Sequence, residues 1–549
     1  MVPRFSAVFG GIVIAPSRYW RFPVTAVDMA CDSSTEPSSH DSLISAMMHR
    51  EFYPKPPDEV SHKETHISHL FFAGDFVYKV KKAVHFSFLD YSSLAKRRHY
   101  LQEELRLNRR LAPSVYLGVL PIAFDESGWR LGGWSEPREY TLVMRRLPEK
   151  RMLRFLIDTH QADGKMMRDL AKLLAGFHGK AERVRGIDPS EYSCALEKQW
   201  KENLSEVESF LGRSGDREAL QWIRSAGSEF ITVHKDLFIR RAIDGWIRDL
   251  HGDLHVEHIC FAPEGIQIFD CIEFSPKLRR CDLAAEIAFL LMDLTVRGGE
   301  SLRAPFLSQY HESLSDPDMP LLLPFFECYR ALVRAKVHAL RIAKWNDEAA
   351  RYFGFAQRFS WARFKPFLIM ICGLSGSGKS TLARALGERL DLPVYNSDVV
   401  RKNLSRTVGR RVVKLNEDIY APANTEKTYA RMVREAEKQI LAGRGAILDA
   451  TFGRKSHREQ VARLAAKHKI PLLIIHCWTS EATTEKRLHL REAQGMDVSD
   501  ARWETYVAQK AAYEAMQECR PESVMDVDTD RLLEHLVDDC EGFLRSRLG

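Results

Sequence analysis

The sequence predicts an α+β unit over its first part and an α/β unit with a parallel sheet over residues 366–549. Three observations carry this. An apolar run, Phe367-Leu368-Ile369-Met370-Ile371-Cys372, passes through a glycine-rich turn into Leu382–Leu390, which has helical spacing. Further apolar runs follow, separated by helical stretches, and that alternation is how parallel sheets are built. Upstream, a β-hairpin over residues 66–81 leads to a charged helix, more strands and then a long, mainly helical region.

A chain of 549 residues is too long for one core. The sequence divides into a non-structural tail over 1–45, a first domain over 46–345, a linker over 346–365 and a second domain over 366–549. The tail contains an apolar stretch, Val8–Pro16, too short to span a bilayer, and a Ser/Thr/Pro-rich segment, Asp32–His40. A start of translation at Met29, Met47 or Met48 is the alternative reading of this end. A net charge of +6 is small for this length and argues against a general nucleic-acid binder. Ten cysteines without a C-x-x-C pair fit a reduced, cytoplasmic setting, and no apolar run has the roughly 18–20 residues of a membrane span.

In chain order, His66–Phe72 and Phe76–Lys81 are read as two strands joined by the turn Ala73-Gly74-Asp75. A helix is expected from about Ser92 to Leu111. A lysine on such a strand can hold the α- and β-phosphates of ATP, with a helix glutamate keeping it in place. Lys79 is that lysine; Glu103 and Glu104 both offer the carboxylate, and the register against Leu107 and Leu111 favours Glu104. Residues 112–148 are expected to be β-rich and 151–245 mainly helical. Next comes Arg248-Asp249-Leu250-His251-Gly252-Asp253-Leu254-His255, and then Ile268-Phe269-Asp270, an acid closing an apolar strand. Phosphoryl transfer to an alcohol needs one carboxylate near the acceptor hydroxyl and another on Mg²⁺, and Asp253 and Asp270 fit those positions. A zinc site is the rival reading: His251, His255 and His258 share one face if the stretch is helical, with Cys260 nearby. Farther on, Tyr329–Arg341 is basic through Arg330, Arg334, Lys336 and Arg341, and is read as a solvated helix face in preference to an acceptor-binding one.

The second domain opens on Gly373-Leu374-Ser375-Gly376-Ser377-Gly378-Lys379-Ser380-Thr381, which fits G-x-x-x-x-G-K-[ST] in its strand–loop–helix setting. Backbone N–H groups of such a loop cradle phosphates, Lys379 reaches the β- and γ-phosphates, and the Ser380 hydroxyl takes Mg²⁺. Three more strands are expected: Leu392–Asp398, with Ser397 capping the helix that follows; Gly445–Thr451, carrying Asp449; and Leu472–Cys477. Ser523–Asp528 is a fourth. Ligands of such a sheet sit beyond the strand C-termini, where Asp398 and Asp449 converge on the loop. Thr483–Arg491 is read as a helix with Arg487 and Arg491 on one face, followed by a loop over Gln494–Ser499.

Residues from about 60 to 345 resemble the aminoglycoside phosphotransferase-like branch of the protein-kinase-like fold, through Val77-Tyr78-Lys79, Glu104, His251-Gly252-Asp253-Leu254-His255 and Ile268-Phe269-Asp270. The resemblance implies that Asp253 is the catalytic base, that Asp270 is a metal ligand and that Asp282 braces the loop. Where the family usually has Asn as a second metal ligand, this chain has His258; no G-x-G-x-x-G precedes Lys79. The second domain resembles small P-loop NTPase-fold kinases of the gluconate kinase and polynucleotide kinase kind. This implies that Asp398 and Arg401 bind the acceptor, with Asp398 as base, that Asp449 is a Walker B metal ligand, and that Arg487 and Arg491 belong to a lid over the phosphate. Together these describe a fused bacterial ATP- and Mg²⁺-dependent phosphotransferase with two nucleotide sites and a small hydroxyl acceptor. A polynucleotide 5′-hydroxyl kinase, or a nucleotide switch with a non-catalytic first domain, are the alternatives. No acidic cluster near Asp253 suits a polycationic aminoglycoside.

Overall fold

The computed structural model describes residues 39–548 apart from 87–88, 127, 133–135, 187, 363, 408–421 and 495–501. The chain falls into two units: residues up to Leu211 with Gly227–Ala356, and Gly212–Ala226 with Gln357–Gly549. The first domain is therefore not continuous from 46 to 345, because 212–226 groups with the second unit. Two helices, Ser214–Val233 and Asp347–Ala362, cross the unit boundaries, the latter over most of the expected linker. No helix among the described residues is long and apolar enough to cross a membrane.

The first unit begins with α1 (Ser39–Met48), so order starts before residue 45. Leu43 and Met47 are buried with Phe71, Tyr78, Val80 and Val143, an apolar face a tail would not have. A six-stranded antiparallel sheet follows, built from β1 (Val60–Glu64), β2 (Ser68–Ala73), β3 (Phe76–Lys81), β4 (Tyr116–Asp125), β5 (Gly128–Leu131) and β6 (Pro137–Arg145), in the order β1-β2-β3-β6-β4-β5. β3 shows the two-residue period of a strand: Tyr78 and Val80 join the α1 side, and Val77 joins the opposite core. That second face carries Lys79 and Lys81 towards α2 (Leu94–Asn108), whose first turn is capped by Ser93.

The remainder of this unit is mainly helical, with α3 (Gly164–Lys180), α4 (Pro189–Glu208) and α5 (Lys235–Asp244) leading to the short strand β7 (Ile247–Asp249). The hairpin of β8 (Ile259–Ala262) and β9 (Gly265–Ile268) comes next. α6 (Leu283–Val296) is buried on every side from Leu283 to Leu294, as its all-round apolar sequence requires. α7 (Met319–Arg341) packs with it, and the basic face expected to be solvated is buried: Arg330, Arg334 and His338 are all under 9 % exposed.

The second unit has a five-stranded parallel sheet of β10 (Leu368–Cys372), β11 (Val394–Asn396), β12 (Ala446–Asp449), β13 (Leu472–Trp478) and β14 (Val524–Asp528), in the order β11-β12-β10-β13-β14. β10 lies in the middle and is buried on both faces, Ile369 and Ile371 on one side, Leu368, Met370 and Cys372 on the other. Helices α8 (Lys379–Leu390), α9 (Ser397–Thr407), α10 (Pro422–Leu441), α11 (Lys455–His468), α12 (Glu481–Gln494), α13 (Trp503–Ala511) and α14 (Leu533–Leu548) complete the unit. The strand expected over 392–398 ends at Asn396, so Asp398 stands in the first turn of α9. Asn396, not Ser397, supplies the cap, its Oδ1 accepting from Asp398 N (3.0 Å) and Val399 N (3.1 Å).

Candidate active sites

In the first unit, a polar sequence of six side chains runs from Lys79 to Arg334, with Glu104 beside Lys79. Lys79 Nζ donates to Glu104 Oε1 at 2.6 Å and to Asp270 Oδ1 at 3.4 Å. Asp270 Oδ2 lies 3.6 Å from His258 Nε2, and His258 Nδ1 lies 3.6 Å from Asp253 Oδ2. Asp253 Oδ2 is 3.5 Å from His255 Nε2, which Arg334 Nη1 approaches at 3.3 Å. Lys79 thus stands at one end and Arg334 at the other, with Asp253 and Asp270, each about one-third exposed, in between. Glu103 instead pairs with Arg106 at the surface.

Each carboxylate is fixed by its backbone. Asp270 takes φ +63°, the left-handed region an aspartate tolerates but does not favour. The neighbours over-determine it: Asp270 N donates to the Tyr116 hydroxyl (3.1 Å) and Cys271 N to Asn108 Oδ1 (2.8 Å). The turn before Asp253 is held by Glu286, which accepts from His251 N and Gly252 N, both at 2.8 Å. Gly252 has φ +83°, and a Cβ there would stand 3.1 Å from Arg279 Cα, so any other residue would be strained. Asp282 is fully buried, caps α6 through Ala284 N and accepts two 2.7 Å bonds from Arg241.

Burial pushes against ionisation of Asp253, yet His255 and His258 hold its carboxyl well below the usual range. Asp270 is lowered too: burial opposes its charge, and Lys79 and His258 outweigh it. Burial pulls Lys79 down, and Glu104 and Asp270 more than restore it. His251 is held near 4 by burial, hence neutral, and its Nε2–H donates to Phe269 O at 2.9 Å.

Zinc on a common helix face is excluded here: among 251–258 only the single turn Val256–His258 is helical, His251 is engaged with Phe269, and Cys260 Sγ turns to Pro148 O. The three groups that do converge are Asp253, His255 and His258. His258 Nδ1 is 2.9 Å from Asp253 O, and since a carbonyl only accepts, Nδ1 carries the proton. Its Nε2 faces Asp270 Oδ2 across 3.6 Å.

In the second unit the glycine-rich loop leaves β10 and enters α8 at Lys379. Gly373 adopts φ +145°, and a Cβ there would lie 2.2 Å from Cys477 O, so the loop can turn only with glycine. Ser375 N donates to Gln509 Oε1 on α13 at 2.9 Å, and Lys379 Nζ folds back to 3.5 Å from Leu374 O. Arg487 on α12 spans the loop and β14, donating to Gly376 O (3.3 Å), Thr529 Oγ1 (2.9 Å) and Thr529 O (2.7 Å). A cavity of about 320 Å³ opens beside it, lined by Gly378, Thr381, Arg487, Thr529 and Arg531. Arg491 lies on the same helix, but its side chain is outside the described residues, as is most of the expected loop 494–499.

Asn396 is the junction that sequence reasoning missed. Its Nδ2 donates to Asp449 Oδ2 (2.6 Å) and Ser380 Oγ (3.2 Å), while its Oδ1 caps α9. Asp449 Oδ1 is buried without a hydrogen-bond partner. An orphaned carboxylate oxygen beside a serine hydroxyl is an oxygen-donor set that suits Mg²⁺. One turn along α9, Arg401 Nη1 donates to Asp398 Oδ1 at 2.6 Å. In the first unit the missed residues are Lys81, Tyr91 and Glu273: Lys81 Nζ bonds Glu104 (2.9 Å), Glu273 (2.5 Å) and Tyr91 (3.2 Å). The signal available was the strand period, which puts Lys79 and Lys81 on one face.

Residues 90–325 match the family model described as Phosphotransferase enzyme family, and residues 368–516 that described as AAA domain. An uncharacterized protein of Mycobacterium tuberculosis is 31 % identical over 444 residues, 80 % of this chain and 87 % of that one. A gluconokinase of Gluconobacter oxydans is 26 % identical over 149 residues, 25 % of this chain and 71 % of its own. Among solved structures, the APS kinase of M. tuberculosis with AMPPNP and APS is 18 % identical and covers 33 % of this chain and 98 % of that one, with a TM-score of 0.25, too low to argue from.

Proposed function

This chain belongs to the family of the uncharacterized mycobacterial protein, with a phosphotransferase-family domain ahead of a P-loop kinase-type domain, and on that basis we propose an ATP-dependent phosphotransferase with two nucleotide sites. Each site moves the γ-phosphoryl group of ATP to a hydroxyl of a small acceptor. The observation that carries this reading is the convergence on Asn396, which ties the loop serine, Asp449 and the helix of Asp398 and Arg401 together.

At the second site the loop amides and Lys379 hold the phosphates, and Arg487 neutralises charge that develops on the transferring group. Ser380 and Asp449 would hold Mg²⁺, whose chemistry there would be to draw negative charge from the phosphates. Asp398 accepts the acceptor's proton, and Arg401 orients that carboxylate. At the first site Lys79, braced by Glu104, takes the α- and β-phosphates. Asp270 and His258 would hold the cation, and Asp253 is the base. The support for Asp253 is its low pKa direction combined with partial exposure, which leaves an ionised carboxylate facing the cleft. The Gluconobacter relative is named for a gluconate kinase, which favours a small-molecule acceptor at the second site.

Incubating the full chain with γ-labelled ATP and a metabolite extract, then identifying labelled products, tests this. Lys379→Ala should remove the product of the second site and Asp253→Ala that of the first. A chain that hydrolyses ATP but labels nothing would overturn the proposal.

A further inference from the structure

Helix α7 lays three arginines, with a histidine among them, along the stretch that holds Asp253. Arg330, Arg334, His338 and Arg341 follow one another at spacings of four, four and three residues, hence on one helix face. Arg330 Nη1 donates to Gly252 O at 3.2 Å, Arg334 reaches His255, and Arg334 Nη2 lies 3.3 Å from His338 Nε2. This face is turned inward: Arg334 is 3 % exposed, and its Nε is buried with no hydrogen-bond partner.

The carboxylates nearby are already shared. Glu257 stands 3.3 Å from Arg154, 3.3 Å from Arg334 and 3.7 Å from Arg297. Asp293 accepts from Val256 N and from the Tyr352 hydroxyl, and Glu348 is taken by Arg297 at 2.9 Å. Arg341 makes no ion pair among the described residues, although it is partly buried. Burial, with Arg334 beside it, lowers its pKa against the pull of Glu257 and Asp253, and Lys63 on the edge strand β1 faces the same charge. A partly buried guanidinium with no carboxylate at ion-pair distance is costly unless an anion completes it.

Resting on the phosphotransferase reading of this site, we infer that the acceptor at Asp253 is itself an anion, carrying a phosphate or carboxylate group that Arg341 and Arg334 bind. The order of side chains separates this from nucleotide binding. Lys79 and Asp270 lie on one side of Asp253, Arg334 on the other. A hydroxyl presented to Asp253 between two cationic ends has ATP phosphates at one and its own acidic group at the other. The demand is opposite to that of a polycationic acceptor.

The test is calorimetric titration of inorganic phosphate, and separately of acetate, into the full chain saturated with AMPPNP and Mg²⁺. At least one anion should bind, and Arg341→Gln should weaken it about tenfold or more, the scale of a charged hydrogen bond. Lys63→Gln, on a different element, should weaken it in the same direction. Arg341 holds no carboxylate in the fold, so its replacement orphans none; circular dichroism of the variant should match the parent. No anion binding, binding indifferent to Arg341→Gln, or loss of AMPPNP affinity in its place would each overturn the inference. Anion binding without any labelled product would instead sink the phosphotransferase reading alone. An Asp253-dependent product from an uncharged acceptor would sink only this inference.

Discussion

At the scale of single residues, Glu104 is the most exposed to test because it is almost wholly buried and serves two lysines. Glu104→Gln removes the charge that both Lys79 and Lys81 face. Breaking a buried ion pair by removing one partner costs about 3–5 kcal/mol, so urea denaturation should show the first unit destabilised on that scale, and a loss below about 1 kcal/mol would mean the lysines find other partners. Asn396→Ala should cost about 1 kcal/mol as a lost helix cap. The same change should cut phosphoryl transfer at the second site about tenfold by freeing Asp449 and Ser380 from each other. Unchanged turnover would make Asn396 only a cap. His251 gives a pH signature. Burial holds it near 4 against an ordinary 6.5, with Glu286 and Asp253 opposing and His258 adding to the shift. The folded state binds its proton later than the unfolded one, so stability is full above pH 6.5 and falls as pH drops from 6.5 towards 4. The loss reaches about 3 kcal/mol, and it should disappear in His251→Gln if that variant folds.

At the scale of elements, the readable parts were those whose sequence is periodic. β3, α2 and β10 could be drawn from apolar spacing and the glycine-rich loop from its motif, while the register of α2 favoured Glu104 over Glu103 as the partner of Lys79. What could not be read depends on partners distant in sequence. α7 has the composition of a wet basic face, but the apolar α6 and Glu257 draw it inside, because a buried arginine is acceptable once a carboxylate meets it. The first helix was missed for a similar reason: Leu43 and Met47 are too few to signal a core until the outer face of the sheet is known. The turn at Gly252 offers an element-level test. Gly252→Ala combines a positive φ with a Cβ 3.1 Å from Arg279 Cα, so it should destabilise the first unit by about 1–2 kcal/mol and slow its phosphoryl transfer more than its folding loss explains. A variant as active and stable as the parent would mean the turn relaxes freely.

At the scale of the whole molecule, the proposed function gives the chain two phosphate-handling centres of unrelated architecture, each built from residues of one unit. In the first, an antiparallel sheet and α2 position Lys79, and a strained Asp270 faces His258. In the second, five parallel strands bring the loop, Asp449 and Asn396 to one edge. Family membership was legible from the motifs, since Walker-type loops and H-G-D-x-H strings survive as contiguous sequence. The acceptors were not, because acceptor pockets are assembled from side chains far apart in the chain, as the proposed roles of Arg334 and Arg341 beside Asp253 would require. The most direct test of two centres is the stoichiometry of AMPPNP binding to the full chain in the presence of Mg²⁺, measured by calorimetry. Two nucleotides per parent chain and one per Lys379→Ala chain are expected, whereas one per parent chain and none after the substitution would contradict a nucleotide site around Lys79 and Asp253.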